Sequence, residues 1–66
     1  MTMVINSNGT AINYDAAVEL MDDDIREAVA ADLVPCTEQE FFAEYCKRHV
    51  VKFGEPWELD KSNPTY

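Results

Sequence analysis

Thr37-Glu38-Gln39-Glu40-Phe41-Phe42-Ala43-Glu44-Tyr45-Cys46-Lys47-Arg48-His49-Val50-Val51-Lys52-Phe53-Gly54 carries start, stripe and stop signals of a helix in one run. Thr37 through Glu40 spells a capping box: the Thr37 hydroxyl can accept from the Glu40 amide while the Glu40 side chain reaches back. Behind it, Phe41, Phe42, Tyr45, Cys46, His49, Val50 and Phe53 recur at three- and four-residue spacing, which draws one apolar stripe on a helix. Gly54 can take the left-handed conformation that ends a helix, and Pro56 blocks its continuation. The pattern predicts a long helix from about residue 38 to 53, one of whose faces must be covered by the rest of the chain.

Upstream, Val34-Pro35-Cys36 separates that helix from another, because proline disfavours helix at the residue before it. The preceding helix runs from about Asp24 to Leu33, with a capping-box-like spacing of Asp24 and Glu27. Before it, Ala16–Met21 is helical and can be capped by Asn13 or Asp15. Asp22-Asp23-Asp24 intervenes, and aspartate is a good cap but a poor interior residue. The competing reading is one continuous helix, since Ala17, Met21, Ile25, Val29 and Leu33 recur every four residues; the three aspartates favour a break. At the N-terminus, Met3-Val4-Ile5 and Ala11-Ile12-Asn13-Tyr14 are β-prone runs. Asn8-Gly9 between them predicts a hairpin with a type I′ turn.

The fold class expected is therefore α+β: an N-terminal β-hairpin, two or three helices, and a short C-terminal extended arm at Trp57–Leu59. Residues 1–59 form one domain, with 60–66 as a flexible tail. The predicted core is Ile5, Ile12, Val18, Met21, Ile25, Val29, Leu33, Phe41, Phe42, Tyr45, Val50 and Phe53, with Trp57 lying against the helices. Sixty-six residues stand near the size at which one core barely outweighs chain entropy. Self-association through Phe41, Tyr45 and Trp57, as a homodimer, is a route to completing that core.

The charge map is lopsided. Thirteen acids face five Lys and Arg, for a net charge of −8. Ten of the acids lie between Asp15 and Glu44, with Arg26 the one base among them. In the last helix, acids at the start, bases near the end, and Glu44 ahead of Lys47 and Arg48 suit the helix dipole and ion pairing. Glu19 and Asp22–Asp24 through Glu27 exceed what capping needs, and that excess is the functional signal.

Other chemistry is poorly represented. Starting at Asp22, a calcium loop would need a glycine at its sixth position, where Glu27 stands, and Arg26 falls on a ligand position. Cys46 and His49 with Cys36 lack a fourth zinc ligand, and as a nucleophile pair they lack an orienting group. Two glycines cannot make a phosphate-binding loop. The three bases on the last helix do not make a nucleic-acid surface. No run approaches the roughly 20 apolar residues of a membrane span. The reading is a cytoplasmic protein, not an enzyme, with no cofactor and no metal, binding neither nucleic acid nor membrane directly. Its expected partner is a protein with a basic surface, met by Glu19, Asp22, Asp23, Asp24, Glu27, Glu38, Glu40 and Glu44. The alternative is a self-associating module whose acids only confer solubility.

Asp15 through Glu27, followed by Pro35–Phe42, Tyr45–Lys47 and Lys52–Glu55, resembles small acidic proteins of bacterial prophages and mobile elements. The resemblance implies a setting inside a bacterial host and a role as an inhibitor of host defence, anti-CRISPR proteins among them. It carries over no residue roles.

Overall fold

The computed structural model describes residues 2–60. Two short antiparallel strands, β1 (Met3–Ile5) and β2 (Ala11–Asn13), are followed by α1 (Tyr14–Leu20), α2 (Asp23–Leu33) and α3 (Glu38–Phe53). This is the α+β order that the sequence predicts.

Each helix begins where a side chain can accept from its first free amides. Asn13 Oδ1 accepts from the amides of Asp15 and Ala16 at 3.0 and 3.3 Å. Asp22 caps α2 through Ile25 N–H at 3.2 Å, so the α2 cap is Asp22 rather than Asp24. Both Met21 and Asp22 are extended, with ψ of 146° and 130°. The chain therefore breaks between α1 and α2, as the aspartates predict. Thr37 and Glu40 form the full capping box of α3, both bonds at 3.1 Å. Gly54 ends α3 with φ of 79° and donates its N–H to Val50 C=O.

The hairpin differs from expectation by one residue. Gly9 N–H donates to Asn6 C=O and Asn6 N–H to Thr10 C=O, both at 3.0 Å, while Gly9 has φ of 88°. The turn is thus centred on Ser7 and Asn8, with Gly9 following it in the left-handed region. That is a three-residue loop, not the two-residue type I′ loop. A two-residue Asn8-Gly9 loop would set Ile5 opposite Ile12; instead Val4 faces Ile12 and Ile5 faces Ala11. A slip of one residue exchanges the faces of a strand. Val4 accordingly takes the core position, while Ile5 is about half exposed. The backbone of Ile5 pairs instead with the Gln39 side-chain amide, which accepts from its N–H at 2.7 Å and donates to its C=O at 2.6 Å.

The core comprises Val4, Ala17, Met21, Ile25, Val29, Phe41, Phe42, Tyr45, Cys46 and Trp57. Ile12, Val18 and Leu33 are only partly buried against it. Val50 and Phe53, expected inside, are 41% and 49% exposed. After Gly54 the chain doubles back to seat Trp57 on Tyr45 and Phe42, at ring centroid distances of 4.5 and 5.6 Å. Phe53 is left at the edge, its ring tilted at 45° to that of His49 with centroids 4.6 Å apart. Phe41, Tyr45 and Trp57 are all buried within the chain, so they do not offer the dimer contact suggested for them.

The C-terminal arm closes in a turn, with Asp60 N–H donating to Trp57 C=O at 2.8 Å. Asp60, read with the tail, is docked: its carboxylate accepts from both Ser7 N–H and Ser7 Oγ at 2.9 Å. The rest of the tail, 61–66, lies outside the described residues. Asn6, missed by the sequence reading, is buried and ties this turn to the hairpin.

Cys46 is buried beside the Asp60 carboxylate. Burial first, and then that carboxylate, push its thiol up to about 12. Unfolding lets the thiol ionise near its ordinary value of 9.0, so the unfolded state binds fewer protons above that value. Stability should therefore fall as pH rises from 9 toward 12. Near neutrality a thiol reagent should label half-buried Cys36 readily and Cys46 only as fast as the fold opens. Equal labelling rates for the two cysteines would contradict this burial.

Candidate functional site

The acidic residues singled out from the sequence fall into three groups. The first surrounds the junction of α1 and α2. Asp22 N–H donates to the buried Tyr45 hydroxyl at 2.8 Å, which anchors the junction to α3. Lys52 Nζ on α3 then reaches Asp22 Oδ2 at 2.9 Å and Asp24 Oδ2 at 3.4 Å. Asp23 pairs with Arg26 at 2.8 Å. The bond from Lys52, and then that from Ile25 N–H, hold the Asp22 carboxyl below the usual carboxylate range. Reciprocally, Asp22 raises the Lys52 ammonium above its ordinary value. The Asp22–Lys52 pair is intact at neutral pH and is lost as pH falls through the depressed Asp22 value.

The triple aspartate is therefore not left with Arg26 alone, as its sequence neighbourhood suggests. Lys52 is 30 residues away from Asp22 in the chain, and only the packing of α2 on α3 brings it there.

The second group lies along α3. Glu40 is engaged in its capping box. Glu44 pairs with Arg48 at 2.9 Å, and Arg48 also holds Asp32 on α2 at 2.8 Å. Glu44 first, and then Asp32, keep the Arg48 guanidinium more firmly protonated. Lys47, the other base that the sequence offered to Glu44, makes no ion pair with it.

The third group is Glu19, Glu27 and Glu38. All three are exposed, and among the described residues no cation lies within 4 Å of them. Glu38 and Asp15 flank half-buried Tyr14, whose hydroxyl is raised first by burial and then by Glu38. Among the described residues, five carboxylates, Asp22, Asp23, Asp24, Asp32 and Glu44, meet a cation within the chain. Among the described residues, the uncompensated charge thus sits on α1, the middle of α2, the first turn of α3 and, at Glu55 and Glu58, the C-terminal arm.

His49 Nδ1 lies 3.0 Å from the Glu55 carbonyl oxygen, and Cys46 is held as a thiol. Among the described residues, no three His, Cys, Asp or Glu side chains converge to hold a metal. No helix among them is long and apolar enough to cross a membrane.

Comparison with known proteins adds the setting. No curated protein and no solved structure matches the chain. A family model described as Anti-CRISPR protein AcrIC5 matches residues 5–57, from the end of β1 through all three helices to Trp57. On that match across most of its length, this chain belongs to the AcrIC5 family of anti-CRISPR proteins.

Proposed function

We propose that the chain inhibits a CRISPR–Cas system in the host cytoplasm without catalysing a reaction. It does so by pressing its acidic face on a basic surface of a protein of that system. There its carboxylates occupy ground that nucleic-acid phosphates otherwise take. Family membership supports the inhibition of host defence. The observation that carries the mode of binding is the charge left over after intramolecular pairing, with Glu19, Glu27 and Glu38 exposed and without a cation among the described residues. Carboxylates of one sign on rigid helices steer a basic partner and lose little on docking.

Competition with nucleic acid tests this reading. Phage plating on CRISPR-active hosts expressing the chain identifies the effector complex that it blocks. That purified complex is then titrated with labelled target DNA in the presence of the chain. The two should exclude one another, each raising the apparent Kd of the other. A complex that holds both with unchanged affinity would rule out the proposed mode.

A further inference from the structure

Arg26 is the one base in the acidic stretch from Asp15 to Glu44, and on a face that meets a basic partner a cation is out of place. Its contacts give it another task. Nη2 donates to Asp23 Oδ1 at 2.8 Å, while Nη1 donates to the Val18 carbonyl oxygen at 3.3 Å. One guanidinium thus joins the first turn of α2 to the last turn of α1. Arginine suits that bridge because its planar fork presents several donors in fixed directions.

The short helix α1 depends on such a tie. Beyond Ala17, and Met21 just past its end, none of its residues is buried, and seven residues make a helix that is marginal by itself. Its last turn carries no base to meet the C-terminal carbonyls, and Arg26 supplies that cation from the next helix. Met21 and Asp22 are extended, so no continuous helix carries the direction of α1 into α2. Lys52 and the Tyr45 hydroxyl tie the start of α2 to α3 instead. Among the described residues, Arg26 is the only residue of α2 with a hydrogen bond to α1. Glu19 directly follows Val18, and Glu27 directly follows Arg26, so the strut ends beside two of the exposed carboxylates.

We propose that Arg26 is a positioning residue for inhibition: it holds α1 against α2 so that Glu19 and Glu27 meet the partner's basic groups at a fixed spacing. Groups held in place before docking lose less freedom on binding. The inference rests on the acidic-face reading and adds to it that the spacing of the carboxylates, and not only their number, sets the affinity.

Arg26→Gln tests it, because spacing and charge then predict opposite signs. Losing one positive charge takes the net charge from −8 to −9, so attraction by charge alone would tighten binding to the inhibited effector complex. The strut predicts about a tenfold loss of affinity, with an unchanged far-ultraviolet spectrum. Arg26→Lys, which keeps the charge but not the fork, should bind more weakly than wild type and more tightly than Arg26→Gln. In a Glu19→Gln background, Arg26→Gln should cost little more, because the carboxylate that the strut places is already gone; a general loosening of the fold would add in full. Unchanged or tighter binding by Arg26→Gln, wild-type binding by Arg26→Lys, or the same loss with and without Glu19 overturns the proposal alone. Failure of the acidic-face reading shows separately, as unchanged affinity when Glu19, Glu27 and Glu38 are reversed to lysine, and that result overturns both.

Discussion

Asn6→Leu is expected to remove about 2–4 kcal/mol of stability, read as a large fall in the urea midpoint. Asn6 is 5% exposed, and its side chain serves three backbone groups. Oδ1 accepts from the amides of Asn8 and Thr10 at 3.0 and 2.8 Å, and Nδ2 donates to Leu59 C=O at 3.0 Å. Leucine keeps the branched shape, though it is bulkier, and leaves all three without that partner; each costs roughly 1–3 kcal/mol where water cannot replace it. A core this small supplies only about 3–5 kcal/mol, so the loss takes most of the margin. Asn6→Asp separates the roles. It keeps the acceptor for the turn but loses the donor to Leu59, and it should fall between leucine and wild type. A midpoint unmoved by leucine would mean that this junction does not hold the hairpin to the C-terminal turn.

That junction also shows where the sequence stops being legible. The α3 helix could be read in full because its signals are local: a capping box, a stripe and a glycine. The break at Asp22 could be read for the same reason, since a cap acts within three residues. The hairpin was visible as Asn8-Gly9, but its loop length was not. One residue of loop decided whether Val4 or Ile5 entered the core. The burial of Asn6 depends on Leu59, 53 residues away, and nothing near Asn6 announces it. Val50 and Phe53 continue the stripe of α3 beyond the elements that cover it, and sequence periodicity does not record where a neighbour ends.

The acidic site divides in the same way. Which residues are acidic is plain, whereas which of them remain uncompensated is a matter of tertiary packing. Lys52 reaches Asp22 across 30 residues and Arg48 reaches Asp32 across 16. The excess read at Asp22–Asp24 is therefore partly neutralised inside the chain. Of the eight acids singled out, those exposed and without a cation among the described residues are Glu19, Glu27, Glu38 and, bound in its capping box, Glu40.

Glu19, Glu27 and Glu38 bear the largest expected effect on binding. Reversing Asp22 would also remove a helix cap, and reversing Asp23 would set a lysine against Arg26. Glu19, Glu27 and Glu38 are exposed, and their reversal should move stability by only a few tenths of a kcal/mol each. Together the three substitutions, two charge units each, take the net charge from −8 to −2. Electrostatic steering by a surface of one sign changes association rates by about 10- to 1,000-fold, and salt screens it. The most direct measurement is the affinity of the effector complex for wild type and for Glu19→Lys/Glu27→Lys/Glu38→Lys, side by side at low salt. The acidic-face account predicts a loss on the order of 100-fold, mostly in association rate and narrowing as salt is added. Equal affinities with equal salt dependence, in a variant that keeps its fold, would contradict it.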